Sequence, residues 1–518
     1  MVKLSIYWVS LCLVLGTQIT AQDRVKLDRA EYLENGELNG QKFDKVIGNV
    51  AFSQKETRIF GDSAFFYKDK NQVEIFGRVR VLEGDSITIT GKKLIYDGNF
   101  KLAQMRENVV YRDPSMVLTT EFLDYDMVEH LAYYFDDGRL VTESNVLTSK
   151  KGYYDTEARF ASFKDSVVLK NPDYTVEADT FQFNTVSEVA YFRGPTLITA
   201  KNGTILNADD GGEYDTRQDI SNFSGAAIET PKYLLNGDEL YGDNINDYYT
   251  ATANVTLTSK NENVIITGDH GKYWKAQGLT KVYGNALMTK VFANDTLFMS
   301  ADTLINIEDS IPSNERLLAF YNVRIYKPDL QGKADSLSYQ TADSLIYMYR
   351  DPILWNNNNQ MVSDTISILI EYGQVSKMFM DTKAFVASES AEEHYNQVKG
   401  RHMIAYFDKG LLEKVDVNGN GESIYFELQG DSLVIGMNKV ICSDMKLLFE
   451  NQDITDIIFY SPDGSFIPFH EISPASTKLE NFIWRPAERP TRNTVLRIQR
   501  YTPGVPENYD ELMQQQQD

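Results

Sequence analysis

With 518 residues the chain is too long for one compact core, so several domains or a repeat array follow from length alone. Hydrophobic residues make up 42% of it, with 31 tyrosines and 27 phenylalanines, a composition that excludes disorder and leans toward strands. A formal net charge of -23 repels phosphate backbones and excludes nucleic acid as a partner class; acids on a solvated face keep a long β protein soluble.

Residues 1–21 read as a signal peptide. Lys3 is followed by an apolar run from Ile6 to Leu15 broken only by Ser10, then by Gly16–Thr20 and a small Ala21 at the expected cut. The run is too short to span a membrane, and no later segment approaches the roughly eighteen apolar residues that spanning needs. Lys3 is its only charge, so the exported chain carries -23 - 1 = -24. Cys12 lies inside the signal without a small residue before it, a poor lipoprotein context, which leaves Cys442 alone and no internal disulfide. Residues 22–43 form a lead-in.

From residue 44 two phrases alternate. The first is a small residue, usually an acid, then apolar residues at every second position. Its marks are Gly61, Gly91, Thr120, Gly152, Ala178, Ala208, Gly237, Gly268, Ala301, Ala334, Ser363, Gly400 and, weakly, Ser443. Up to Ser363 they stand 26 to 33 residues apart; the last two intervals stretch to 37 and 43. The second phrase is one or two turn-type residues followed by a β run, as in Gly48-Asn49-Val50, Gly77-Arg78-Val79, Asn285-Ala286 and Asn322-Val323. A period near thirty predicts stacked supersecondary units.

Inside each unit the hydrophobic period is two. Leu94 pairs with Tyr96 on one face, and so do Leu123 with Tyr125, Phe181 with Phe183 and Leu337 with Tyr339; in the other phrase Val79 pairs with Val81, Val109 with Tyr111, Val255 with Leu257 and Val323 with Ile325. Leu304 opens the same face after Ala301-Asp302. One buried and one wet face predict antiparallel sheets. Asn-Gly turns at Asn35, Asn39, Asn202, Asn236 and Asn418 agree with hairpins. Ser388–Val398, the best helical candidate, is short and reads as an inserted turn. About 40 strands in two sheets, stacked at about 4.8 Å, predict an object on the order of 100 Å long. Past Phe469 prolines break the pattern, and Lys478–Arg500 is locally basic: either a solvated tail or a docking segment anchored by Phe482-Ile483-Trp484.

Catalytic chemistry finds no constellation. The five histidines are scattered without metal-ligand spacing, Cys442 lies in a β run that suits a buried thiol, and phosphate-binding or nucleophile-elbow loops are missing. The recurrent acids, Asp62, Asp179, Asp209, Asp238, Asp269, Asp302, Asp335 and Asp364, hold one place in their repeats, and turn hydrogen bonding explains them economically. Asn-x-Ser/Thr matches at Asn202, Asn222, Asn254 and Asn294 read as chance.

Ile47-Gly48-Asn49-Val50, Gly61-Asp62, Phe76-Gly77, Gly237-Asp238, Gly268-Asp269, Tyr283-Gly284-Asn285 and Ala301-Asp302-Thr303-Leu304 together resemble the OstA-like, LptA-type family of periplasmic lipopolysaccharide-transport proteins. The resemblance covers residues 44–370 well; 371–469 is a degenerate continuation and 470–518 a tail unlike the family. It implies an all-β, elongated, repeat-built β-jellyroll whose two antiparallel sheets form an open V-shaped groove. It further implies a periplasmic bridge, not an enzyme and without cofactor, that carries lipid A acyl chains toward the outer membrane. Its partners would be lipopolysaccharide and other transport components at the inner and outer membranes, joined by end-to-end strand pairing. The inward set expected to line the groove is Val79, Val81, Leu94, Tyr96, Val109, Leu123, Phe181, Phe183, Val255, Leu257, Leu304, Val323, Ile325, Leu337 and Tyr339. The competing reading is a structural or adhesive β-solenoid with a filled core.

Overall fold

The structure, a computed structural model, describes residues 24–497 apart from 39, 262, 293–294, 310, 312–313, 373, 410, 431–432 and 451–452. The expected signal peptide and the end of the tail lie outside the described residues. Among the described residues there are 37 strands, paired antiparallel, and the chain divides into two compact units, Met1–Ala190 and Tyr191–Asp518. No helix among the described residues is long and apolar enough to cross a membrane.

One local device shapes both units. The turn-type residues of the second phrase lie in the middle of long strands, as left-handed pairs rather than at hairpin tips. Glu107 and Asn108 have φ of 63° and 52°, Ala253 and Asn254 57° and 51°, Tyr321 and Asn322 57° and 55°. At each the register slips, between Arg106 and Val109, Thr252 and Val255, and Phe320 and Val323. Such a bulge bends its strand, so every layer turns a corner and its two halves become two wings. Asparagine recurs there because its short side chain tolerates the left-handed region.

The recurrent acid holds that corner. Asp302 N donates to the Tyr321 carbonyl at 3.0 Å, and Asn322 Nδ2 donates to Asp302 Oδ2 at 2.8 Å. Asp269 repeats this with Gly284 and Asn285, and Asn254 donates to Asp238 at 2.8 Å. At Asp62 the arginine after Gly77 takes over: Arg78 donates its backbone N–H at 3.1 Å and its guanidinium at 3.0 Å, and holds the Asp62 carboxyl below its usual range. The small residue before the acid faces inward. A Cβ on Gly61 would come within 2.3 Å of Ile75, so the apex has no room for one. A second series of side chains, Asp97, Asp126, Asp155, Asn184 and Asp215, ends the first-wing strands in Asx turns.

Residues 371–469 continue as the longest strands, up to the nineteen residues of Leu411–Gln429. The inserted turn expected over Ser388–Val398 is only the link between strands Gln374–Ala391 and His394–Asp408, because Val386–Val398 and Ala387–Gln397 pair across it. Cys442 is buried, and burial raises its thiol.

Candidate functional site: an apolar trough between the wings

In unit 1 the inward row of the second wing is unbroken from strand to strand: Phe52, Ile59, Val81, Ile89, Tyr111 and Leu118 are successive cross-strand partners. All six are buried, as are Ile75, Leu94, Met105 and Leu123 on the first wing. The mouth is tied. Tyr96 Oη donates to Gln54 Oε1 at 2.6 Å, Gln54 Nε2 donates to the Gly98 carbonyl at 2.9 Å, and Thr57 Oγ1 donates to the Met127 sulfur at 3.6 Å. This part of the roll is filled by its own side chains.

Unit 2 begins differently. Its second-wing row runs Ile198, Leu206, Ile228, Leu235, Leu257, Ile266 and Met288. All seven are half-buried. Across the corner the first-wing row runs Phe223, Leu240, Ala251, Gly271 and Val282, so that two small residues, Ala251 opposite Gly271, stand where unit 1 has Met105 opposite Leu94. Tyr249 and Tyr273 stack at 6.2 Å, and burial raises both phenols. Seven aliphatic side chains with no charge among them can hold an apolar chain and supply no acid, base or nucleophile. Beyond Met288 the row passes to Met299, Ile325, Leu354 and Met361, all buried in one cluster with Leu304, Leu337, Met348 and Ile366 of the first wing.

Of the fifteen positions expected to line a groove, twelve are buried: Val79, Val81, Leu94, Tyr96, Val109, Leu123, Phe181, Val255, Leu304, Val323, Ile325 and Leu337. Val79, Val109, Val255 and Val323 follow the corners. Phe183, Leu257 and Tyr339 are half-buried, and Leu257 alone belongs to the half-buried row of unit 2. Alternation marks the inward face but carries no signal for how deeply the opposite wing covers it, so Ile198, Leu206, Ile228 and Leu235 escaped the sequence reading.

The basic tail is docked. Leu479 and Val495 are buried, and Phe482 and Trp484 pack on Tyr395 with ring centroids 5.2 Å away. Arg485 donates two hydrogen bonds to Asp351, at 2.7 and 3.0 Å.

The family model of OstA-like proteins matches residues 22–179. No curated protein matches the chain. Among solved structures, the crystal structure of LptH from Pseudomonas aeruginosa, described as the LptA homologous periplasmic component of a lipopolysaccharide transport device, matches at 12% identity. The match covers 23% of this chain and 82% of that one, with a TM-score of 0.20.

Proposed function

We propose, on the premise that residues 22–179 are an OstA-like segment, that the protein is a periplasmic lipopolysaccharide-binding bridge that carries lipid A acyl chains in an apolar groove. The observation that carries this is the half-buried row from Ile198 to Met288, seven strands deep and uncharged. Apolar surface left in contact with water is a standing free-energy cost, and an acyl chain laid along it gains roughly 0.8 kcal/mol per buried CH2. Because each strand offers a near-equivalent residue, a chain can advance from one layer to the next without leaving the row. At the carboxyl end the strands Asp453–Tyr460 and Asp463–Pro468 both pair with Leu433–Glu450 and expose Ile458, Tyr460 and Phe466. Edge strands of that kind suit pairing with another transport component.

The filled interior of residues 46–134 favours the second reading, a structural solenoid, for that part of the chain. Photocrosslinking decides between them. A photoreactive residue at Leu257 in cells should capture a lipid A-type glycolipid, and mass spectrometry should find the same lipid on the purified protein. A folded protein with neither lipid nor crosslink would leave the solenoid.

A further inference from the structure

We infer that the segment Thr477–Arg497 is a latch: docked on the outside of the second wing of unit 2, it holds that wing closed on the first and so limits how far the apolar trough extends. Its purpose rests on the conduit reading, but its geometry does not.

The segment runs backward over the sheet. It meets Gln397 at Thr477 and Leu479, Gln360 at Ile483 and Arg485, Gln331 at Arg489, and the corner of Asn285, Ala301 and Asp302 at Arg497. Three glutamines do the holding. Gln331, Gln360 and Gln397 are only 3%, 1% and 1% exposed. Each stands next in sequence to an inward residue, Gly332, Met361 or Val398, and therefore points to the outer face. A buried amide on the outer face of a sheet is stable only when something covers and bonds it. Gln360 donates to the Ile483 carbonyl and accepts from Arg485 N, both at 2.7 Å; Gln397 treats Thr477 and Leu479 the same way, both at 2.8 Å. These two side chains each imitate one rung of a β-ladder against the segment's backbone, while Gln331 accepts from the Arg489 guanidinium. Pro486 and Pro490 keep the segment from pairing as a true strand, so it is held by side chains at a few points.

Two more observations make it a latch rather than a passive cover. It grips corners, where the angle between the wings is set: Arg497 donates to the Ala301 carbonyl at 3.0 Å, and Arg485 takes Asp351, whose φ of 59° marks the next bulge but one. One end of its footprint falls where the trough closes, and the row stays sealed from there to Met361, with Val386 and Val398 half-buried again beyond it. Val495 packs with Leu287 and Phe298, and there the inward row changes from half-buried Met288 to Met299, 2% exposed. The core under the latch is rich in methionine, with Met299, Met348, Met361, Met378, Met380 and Met403. Unbranched, flexible side chains repack at low cost when walls move apart.

The test uses the full mature chain with Cys442→Ser and one reporter cysteine, Met361→Cys under the latch or Leu206→Cys in the open row. Maleimide labelling is compared with and without the clamp substitutions Gln360→Leu and Gln397→Leu. We expect the Met361→Cys rate to rise about tenfold and the Leu206→Cys rate to stay unchanged. The part of the tryptophan emission change that Trp484→Phe abolishes reports release; a released segment with Met361→Cys still protected overturns the latch. Should the double variant not fold, Arg485→Gln alone is the milder opening, with the same two outcomes. Binding of a pyrene-labelled fatty acid separates the two ideas. Labelling that rises with no fatty acid bound in either form sinks the conduit and keeps the latch; binding with unchanged labelling does the reverse.

Discussion

The rows Phe52–Leu118 in unit 1 and Ile198–Met288 in unit 2 are built on one repeat, with the same corner, the same acid and the same alternation, yet the first is sealed and the second half-open. The corner fixes only where a strand bends. What closes the roll is the volume supplied by the facing wing and the bonds across its mouth. Unit 1 places Leu94 and Met105 at the first wing and ties Tyr96 to Gln54; unit 2 has Gly271 and Ala251 at the matching positions of one strand pair, and Gly242 at the repeat position from which Tyr96 makes its tie. A filled part stiffens the chain, and a half-open part leaves apolar surface for a guest.

The contrast breaks most sharply under a buried charge. Val81→Asp should abolish folding of unit 1, since no partner can reach a carboxylate there, whereas Leu257→Asp should leave a folded protein that no longer crosslinks lipid at the row. Circular dichroism and the Leu235 crosslink read the two. If both variants fold and both keep lipid, the assignment of the trough is wrong. Truncation sharpens the same contrast: Leu94→Ala should cost about 2–5 kcal/mol, and Leu235→Ala about half of that or less, because a half-buried site leaves little cavity. Equal losses in denaturant melts would mean that the open row is packed in solution.

Alkaline pH should separate the units next. Burial raises Tyr96 and Tyr111, and pushes Tyr134 up to about 12. The folded chain therefore keeps these phenols neutral where unfolded ones, with pKa about 10, ionise. The folded state holds more protons, so the stabilisation is complete below about pH 10 and is lost as pH rises from there toward 12. Unit 1 should loosen first in exchange measurements at high pH; simultaneous loss in both units would refute the ordering. The corner gives the smallest effect. Asn322→Val should cost about 1–3 kcal/mol through left-handed strain and the lost bond to Asp302, and Asn322→Gly less. Similar melting of the two variants would show that conformation matters less there than the bond.

Much of this architecture was legible in the chain. Period thirty, period two within it and the fixed place of the acid led to stacked antiparallel layers, and Leu94, Leu304 and Leu337 did prove buried. The corner was half-read. Gly48-Asn49 and Asn322 are turn-type residues by their chemistry, but their place in mid-strand depends on pairing partners sixteen to twenty residues away, such as Asp302 for Asn322. Past residue 370 the phrases fade while the strands lengthen, so spacing misled at Ser388–Val398.

The repeat, the corner chemistry and the inward face follow from the sequence because each is a local matter of φ, side-chain reach and alternation. Which inward residues are sealed and which stay half-open was decided only in three dimensions. That depends on the residue across the corner, on the tie between Tyr96 and Gln54, and on a tail folded back over strands more than a hundred residues earlier in the chain. Burial is a property of the facing surface, and no window along one strand contains it.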